Sequence, residues 1–577
     1  MKYVWAAYMG HRVHCVLLMF AVFLVAPSAT GEKILVVVDS TYPSGGSGYE
    51  GPRPAPTMVE IEAPDVSAFA PLQSSVAAEA PGGPSTPTAS LTFDGTRQSP
   101  GFKGGSISKP PDTHIAVGTG AGVAGRVIMV TNTGIQIWDK SANVIFVGDD
   151  LDAFVVAAGG TLDLGGAFDP KIIFDQDSGR FFVVMLDGKS PAISTVHVLV
   201  STNSTPNSIS AVDWTPFKAT AVTDFGGTST WFDYPGIGAD STRLVVTGNM
   251  FDVGGTFRGA KIRVFDKAAL LVGMNNFADF NIDKTVTSGA STLQPAHVYG
   301  TTDSGNFYLV NRFGPAFYRL WEIGGTPASP VLVAGTATTY PWVAGDQLAA
   351  TFAPQMGVTG IELDTLSARI MQAAYRNGSI WCALSADADA DAKTEVVWFE
   401  IRTNGGSPTV PTVRQFGFID GSDGDEWAFM PSINVNAAGD VMINYSQSFT
   451  DQFVDMRAVF RLQADPLNTF QSSVLIHSSV GEYDDFGSSN PERWGDYSAT
   501  VVDPDDDTTF WIANEYCIVG RAAGDDAEWG TRIAKMNLPA ATLPAATGAV
   551  RLMTALSLLV VAVAVLTLRA RRENHSE

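Results

Sequence analysis

Four aspartates, Asp112, Asp169, Asp233 and Asp496, each sit beside a short strand-like phrase, and other reactive side chains accompany them. His114 follows Asp112, Lys171 follows Asp169, Tyr234 follows Asp233, and Arg493 and Trp494 precede Asp496, while His297 stands after Gln294. Carboxylates with an arginine and aromatic rings would suit a sugar or a peptide. Glycoside hydrolysis would need two carboxyls about 5–9.5 Å apart, one with a raised pKa. The same aspartates equally suit capping turns and accepting backbone N–H groups between neighbouring elements. A lone histidine in such a place is more often a structural hydrogen-bonder than a base. These residues are scattered from position 112 to position 496, so only a fold that returns repeatedly to one place can gather them.

The chain carries such a fold in its period. Met430–Ser446, MPSINVNAAGDVMINYS, reads as two alternating strands around a turn at Ala437–Asp440, where Gly439 supplies positive φ. Equivalent phrases open at Pro111, Pro170, Pro235, Pro295, Ile370, Pro431 and Gly495, spaced 59 to 75 residues apart and averaging about 64. A third alternating strand follows most of them, such as Val196–Ser201 and Val396–Ile401, and a weaker fourth follows some, such as Val413–Ile419. Four antiparallel strands at a fixed period are the mark of a propeller blade. The expected fold is therefore an all-β, seven-bladed β-propeller of four-stranded antiparallel blades. Two stacked sandwiches would not explain one period running throughout.

The period also predicts how the ring closes. A full seventh blade opened at Gly495 needs about 20 more residues than the soluble part provides before it stops near 538. Ala89–Phe93 is expected to supply that outer strand and pair the two ends of the ring. The residues just before each innermost strand then surround one mouth of the central channel, where propellers commonly bind ligands.

The flanks read differently. Residues 1–31 resemble a signal peptide, with an apolar run from Cys15 to Ala26 and a small-residue stretch after it. Residues 32–88 form a Pro/Gly/Ser/Ala-rich flexible linker holding a short strand near Ile34–Val38, before the propeller at 89–538. A small-residue, Pro-punctuated linker at 539–551 leads into an apolar run at 552–568, which at 1.5 Å per residue reaches about 25 Å, marginally enough to span a bilayer. The Arg-rich tail 569–577 would be cytoplasmic and the bulk of the chain outside. The expectation is an exported protein held in the envelope by one transmembrane helix, or released to the surface if the tail is clipped.

The phrases PPDTHIAVG, DPKIIFDQDSGRF, MPSINVNAAGDVMINYS, RWGDYSATVVDPDDDTTFWIANEY and WGTRIAK resemble those of a family of secreted bacterial propeller proteins, related in shape to sialidase-like and YVTN-like propellers. RWGDYSAT, Arg493–Thr500, is the most specific of them, and the C-terminal motif, span and Arg cluster resemble bacterial surface-sorting signals. The resemblance implies the fold and export. It carries no reaction and no catalytic residues over. Where sialidases use an arginine triad, only Arg493 falls at the expected mouth, and their S-x-D-x-G-x-T-W boxes are absent in strict form.

Three acidic turns could hold Ca²⁺: Asp387, Asp389 and Asp391; Asp503 and Asp505 with their neighbours; and Asp423 with Asp425. None has the glycine and glutamate positions of an EF-hand, and charged hairpin tips are commonly just solvated. Cys382 and Cys517 could pair in an oxidising compartment. A net charge of -23 argues against nucleic acid as a partner. No Ser-His-Asp order and no phosphate-binding glycine loop stands out. The reading from sequence is a surface-displayed binding module for a glycan or protein ligand at the channel mouth. The alternative is an extracellular carbohydrate-active enzyme using carboxylates at the same mouth.

Overall fold

The computed structural model describes residues 33–39, 57–62, 87–98 and 108–539, the last span interrupted at 288, 315–316, 341–349, 358–359, 390, 406–410, 422–425, 486–489 and 521–526. The expected export signal, the apolar span at 552–568 and the Asp423/Asp425 turn lie outside these residues. Among the described residues no helix is long and apolar enough to cross a membrane.

Seven antiparallel sheets follow one another along the chain, six of them built around four consecutive strands. The innermost strands are His114–Val117, Phe168–Asp175, Thr228–Ala239, Gln294–Pro295, Ile370–Arg376, Trp427–Val435 and Ala499–Val502. The seventh sheet takes its outer strand from the other end of the chain: Thr88–Arg97 pairs antiparallel with Glu528–Asn537, with Phe93 opposite Ile533. Gln98 extends the closure, its backbone N–H donating to the Trp529 carbonyl at 3.0 Å and its side-chain oxygen accepting from the Trp529 N–H at 2.9 Å. The ring has seven blades and is closed by both chain ends. Lys33–Asp39 and Thr57–Glu62 form a hairpin that extends the outer edge of the third blade through Asp279–Asn281.

The core is a ring of clusters between blades. Ile115, Val127 and Trp138 of the first blade pack on Ala499, Trp511 and Ile533 of the seventh, so apolar burial seals the same seam that the closing strand ties. Because each blade is covered on both faces, its inner strands are buried along their whole length. Phe168–Asp175 and Thr195–Ser201 have no exposed residue, whereas the outer strand Thr412–Ile419 retains alternation. The alternation expected of third strands is thus confined to the blades' outer edges.

Four of the seven modules share a backbone device at the entry to the inner strand. Asp112, Asp169, Tyr234 and Met430 all lie in the left-handed region, with φ of 51°, 49°, 55° and 50°. In the second, third and sixth blades the register shifts at this point, a bulge that re-aims the chain from crossover to channel wall. A left-handed N–H leaves the ladder and finds a partner across the blade boundary: Asp169 donates to Asn132 Oδ1 at 2.8 Å and Met430 to Ser385 Oγ at 3.0 Å. This position, not the proline, is what these four modules have in common. Thr113 takes the place held by Pro170, Pro235 and Pro431, so the first module begins two residues later than a phase set on Pro111.

Cys382 and Cys517 are both free and buried, on the second strands of the fifth and seventh blades. The pairing that the sequence left open is not formed, each thiol being held in a different blade of the ring. Burial pushes the Cys517 thiol up to about 12 and raises that of Cys382 as well.

Candidate functional site

The end of the channel where the inner strands begin collects residues from four blades that are not all neighbours in sequence. Asp112 of the first blade accepts from the Asp496 N–H of the seventh at 2.8 Å and from Asn132 Nδ2 at 2.6 Å. Asp169 of the second blade accepts from the Tyr234 N–H of the third at 3.2 Å and from the Tyr497 hydroxyl of the seventh at 3.5 Å. Asn132 thus bonds to the side chain of one aspartate and the backbone of the other. The Tyr234 and Tyr497 rings lie 5.1 Å apart, and the Lys171 ammonium sits over Tyr497 at 3.8 Å. Arg493 pairs with Asp496 at 2.9 Å and keeps 48% of its side chain exposed, so a charged fork faces solvent above a buried acidic floor.

Two long crossovers form a collar around this mouth. Leu363–Asp364, before the fifth blade, pairs in parallel with Glu492–Arg493, before the seventh. They bring Arg493 to the rim and place the Arg369 guanidinium over the Tyr234 ring at 4.6 Å. A groove of about 390 Å³ opens between the first and second blades, lined in part by Lys109, Asn132, Asp152, Phe168 and Lys189. Asn132 lines the groove and bonds to both Asp112 and Asp169, and so links the two.

The electrostatics follow from crowding carboxylates in a dry place. Burial, reinforced by the charges of Asp233 and Asp496, pushes Asp169 up to about 8. Burial together with Asp496 and Asp169 raises Asp112 well above the usual carboxylate range. Asp233 is raised too, chiefly by burial. Burial lowers the Lys171 ammonium to about 8, against the pull of Asp169, Asp496 and Asp112. A carboxyl and an amine two residues apart therefore both change charge near neutral pH, the arrangement general acid–base chemistry requires.

Of the residues singled out in the sequence, Asp112, Asp169, Asp233, Tyr234, Arg493 and Asp496 converge here. His114 and His297 lie deeper, in the wall of the channel, where the cavity is only about 50 Å³. Each accepts a backbone N–H from the inner strand of a neighbouring blade, His114 from Ile172 at 3.5 Å and His297 from Ala239 at 3.2 Å. Burial holds them neutral, His114 down to about 3 and His297 to about 4. Trp494 points into the core, donating to Ser446 Oγ at 3.1 Å and meeting Tyr483 edge-on. Asp503 and Asp505 hold the Lys140 ammonium at 2.6 Å each, so the cation at that turn is a lysine. Asp387, Asp389 and Asp391 draw together with Glu395.

Four contributors escaped the reading of the inner-strand phrases. Tyr497 stands next to Asp496 and Arg369 immediately before Ile370, so both carried a positional signal. Asn132 and Glu515 come from second strands or their loops, which no rule based on the first strand reaches. Glu515 is 1% exposed beneath Gly495, where its carboxyl would meet an added Cβ at 2.3 Å.

No protein-family model and no curated protein matches this chain. Among solved structures it is similar to the Hadza microbial sialidase Hz136, with a TM-score of 0.34 and 12% identity over 71% of this chain and 74% of that one. A Trypanosoma rangeli sialidase in complex with sialic acid gives 0.36 and 11%, over 67% and 60%. The WD40 domain of SCAP from fission yeast gives 0.29 and 7%, over 74% and 95%. Endo-arabinases and a thermostable family-43 glycoside hydrolase are further matches. The seven-bladed ring itself is established by the strand pairing described above.

Proposed function

We propose that this propeller acts on carbohydrate at its acidic mouth, with Asp169 as the proton donor and the Arg493-paired Asp496 as the partner carboxylate. The observation that carries the reading is one carboxyl raised to about 8 together with a second, Asp496, that pairs with Arg493 at 2.9 Å, near a groove of about 390 Å³. Two carboxyls in contrasting environments are how acid and base roles separate at one pH. The groove falls within the size range of small-ligand sites, and Lys189, whose ammonium rests 3.8 Å over the buried Phe168 ring, sets a charge in its wall. Arg493, half exposed, is placed to meet a carboxylated or sulfated unit.

A second reading, a binding module without turnover, is favoured by the bonds already made. Asp112 and Asp169 spend acceptor capacity on N–H groups of neighbouring blades, which is structural work. The full exported chain assayed against neutral and acidic polysaccharides separates the two. On the enzyme reading new chain ends appear, and Asp169→Asn and Asp496→Asn each lower the rate by about 10²-fold or more. Saturable glycan binding without any new chain ends would leave the binding module standing in its place.

A further inference from the structure

On the mouth face of the fifth blade, the loop between Ser379–Ala386 and Glu395–Arg402 folds four acids together. Asp387, Asp389, Asp391 and Glu395 each bring a carboxylate oxygen within 4.8 Å of the others. Clustered aspartates on a loop are ordinarily just hydrated. Glu395 is different: it begins a strand, is 0% exposed, and its Oε1 accepts no hydrogen bond although it is buried. Its other oxygen takes the Ala388 N–H at 2.6 Å, which aims the carboxyl back into the loop. A buried carboxylate oxygen without a donor is costly unless something outside the chain meets it.

We propose that Asp387, Asp389, Asp391 and Glu395 form a Ca²⁺ site that fixes this loop and, through it, the collar of the mouth. Hard oxygen donors from alternate residues of a short loop, closed by a glutamate from the following strand, match what Ca²⁺ takes. Backbone bonds preset the loop. The Ala392 N–H donates to Asp387 Oδ2 at 3.2 Å, and the Lys393 N–H donates to Asp391 Oδ1 at 2.9 Å. The ammonium of Lys393 rests 3.0 Å from the outer oxygen of Asp391 and would swing into solvent when the ion enters. The link to the collar is Thr394, next to Glu395. Its hydroxyl donates to the Thr351 carbonyl at 2.7 Å, and the Thr351 N–H donates back to that hydroxyl at 2.7 Å. Thr351 lies in the crossover that ends at Arg369. The site does not depend on what the mouth does.

Calorimetric titration of the chelator-stripped full chain with CaCl₂ tests this, with thermal unfolding alongside. One equivalent of Ca²⁺ should bind, and saturating ion should raise the melting temperature by about 3 °C or more. The exposed substitution Asp389→Asn should weaken binding at least about tenfold, and Glu395→Gln should abolish the thermal shift without unfolding the apo protein. Lys393→Ala should bind as tightly as wild type or tighter, and Asp505→Asn, on the opposite face, should leave the titration unchanged. No heat and no shift up to millimolar Ca²⁺ in the folded wild type, or binding unaltered by both Asp389→Asn and Glu395→Gln, would overturn the proposal.

Discussion

Asp169 holds its proton because three costs coincide: it is buried, and Asp233 and Asp496 put like charge beside it. Its folded pKa of about 8 lies above its unfolded value near 3.8, so between these limits the native state binds a proton that the unfolded chain has released. Its contribution to stability is full at low pH and is lost as pH climbs through about 8. Asparagine keeps the oxygen that accepts the Tyr234 N–H and removes the titration. The stability of Asp169→Asn relative to wild type should therefore rise steadily from pH 4 to pH 8, as measured by urea unfolding at each pH. Taking the difference matters, because His114 and His297, held neutral, push the other way in both proteins below about pH 6.5. A flat difference would show that Asp169 is an ordinary carboxylate. At this scale the sequence was legible where a residue adjoins an inner strand, as with Asp112, Asp169, Tyr234 and Asp496. It was silent on direction: nothing in RWGDYSAT says that Trp494 turns into the core while Arg493, the residue before it, turns out. Direction is decided by packing, here the cavity beside Tyr483 and Ser446 that receives the indole.

The closing strand Thr88–Arg97 is the element on which the ring depends. It hydrogen-bonds along Glu528–Asn537, and Phe93 packs on Trp138 of the first blade at 5.6 Å between ring centroids. Without it the last blade would expose a row of unpaired backbone groups, a template for another chain. Removal of residues 1–97 should therefore yield oligomers or insoluble protein, or lower the melting temperature by about 5 °C or more, whereas removal of residues 1–86 should leave a folded monomer. Size-exclusion chromatography with a melting curve distinguishes them, and identical behaviour of the two truncations would contradict the closure. This strand was readable from a shortfall in the period. The collar was half readable: the step of 75 residues between Pro295 and Ile370 signals extra chain there. Its parallel pairing with Glu492–Arg493 has no sequence signal, because two-residue pairings inside irregular crossovers leave no periodicity. The left-handed entries were hidden as well, since Asp112, Tyr234 and Met430 are not glycines and the bulge they make costs about 1–2 kcal/mol apiece that only the assembled ring repays.

Across the whole molecule, closure creates the mouth. Asp112, Asp169, Tyr234 and Asp496 come from the first, second, third and seventh blades, and they meet only because the last blade docks beside the first. One carboxyl accordingly reports on the ring: Asp169 is raised by burial at the mouth and by the charges of Asp233 and of Asp496, which lies 327 positions onward and is carried round to face it. A difference infrared spectrum of wild type minus Asp169→Asn, titrated from pH 5 to pH 10 in the full chain, reads that proton directly. A protonated-carboxyl band should persist at pH 7 and disappear with a midpoint near 8. A side chain already ionised at pH 5 would contradict it and remove the acid from the proposed chemistry.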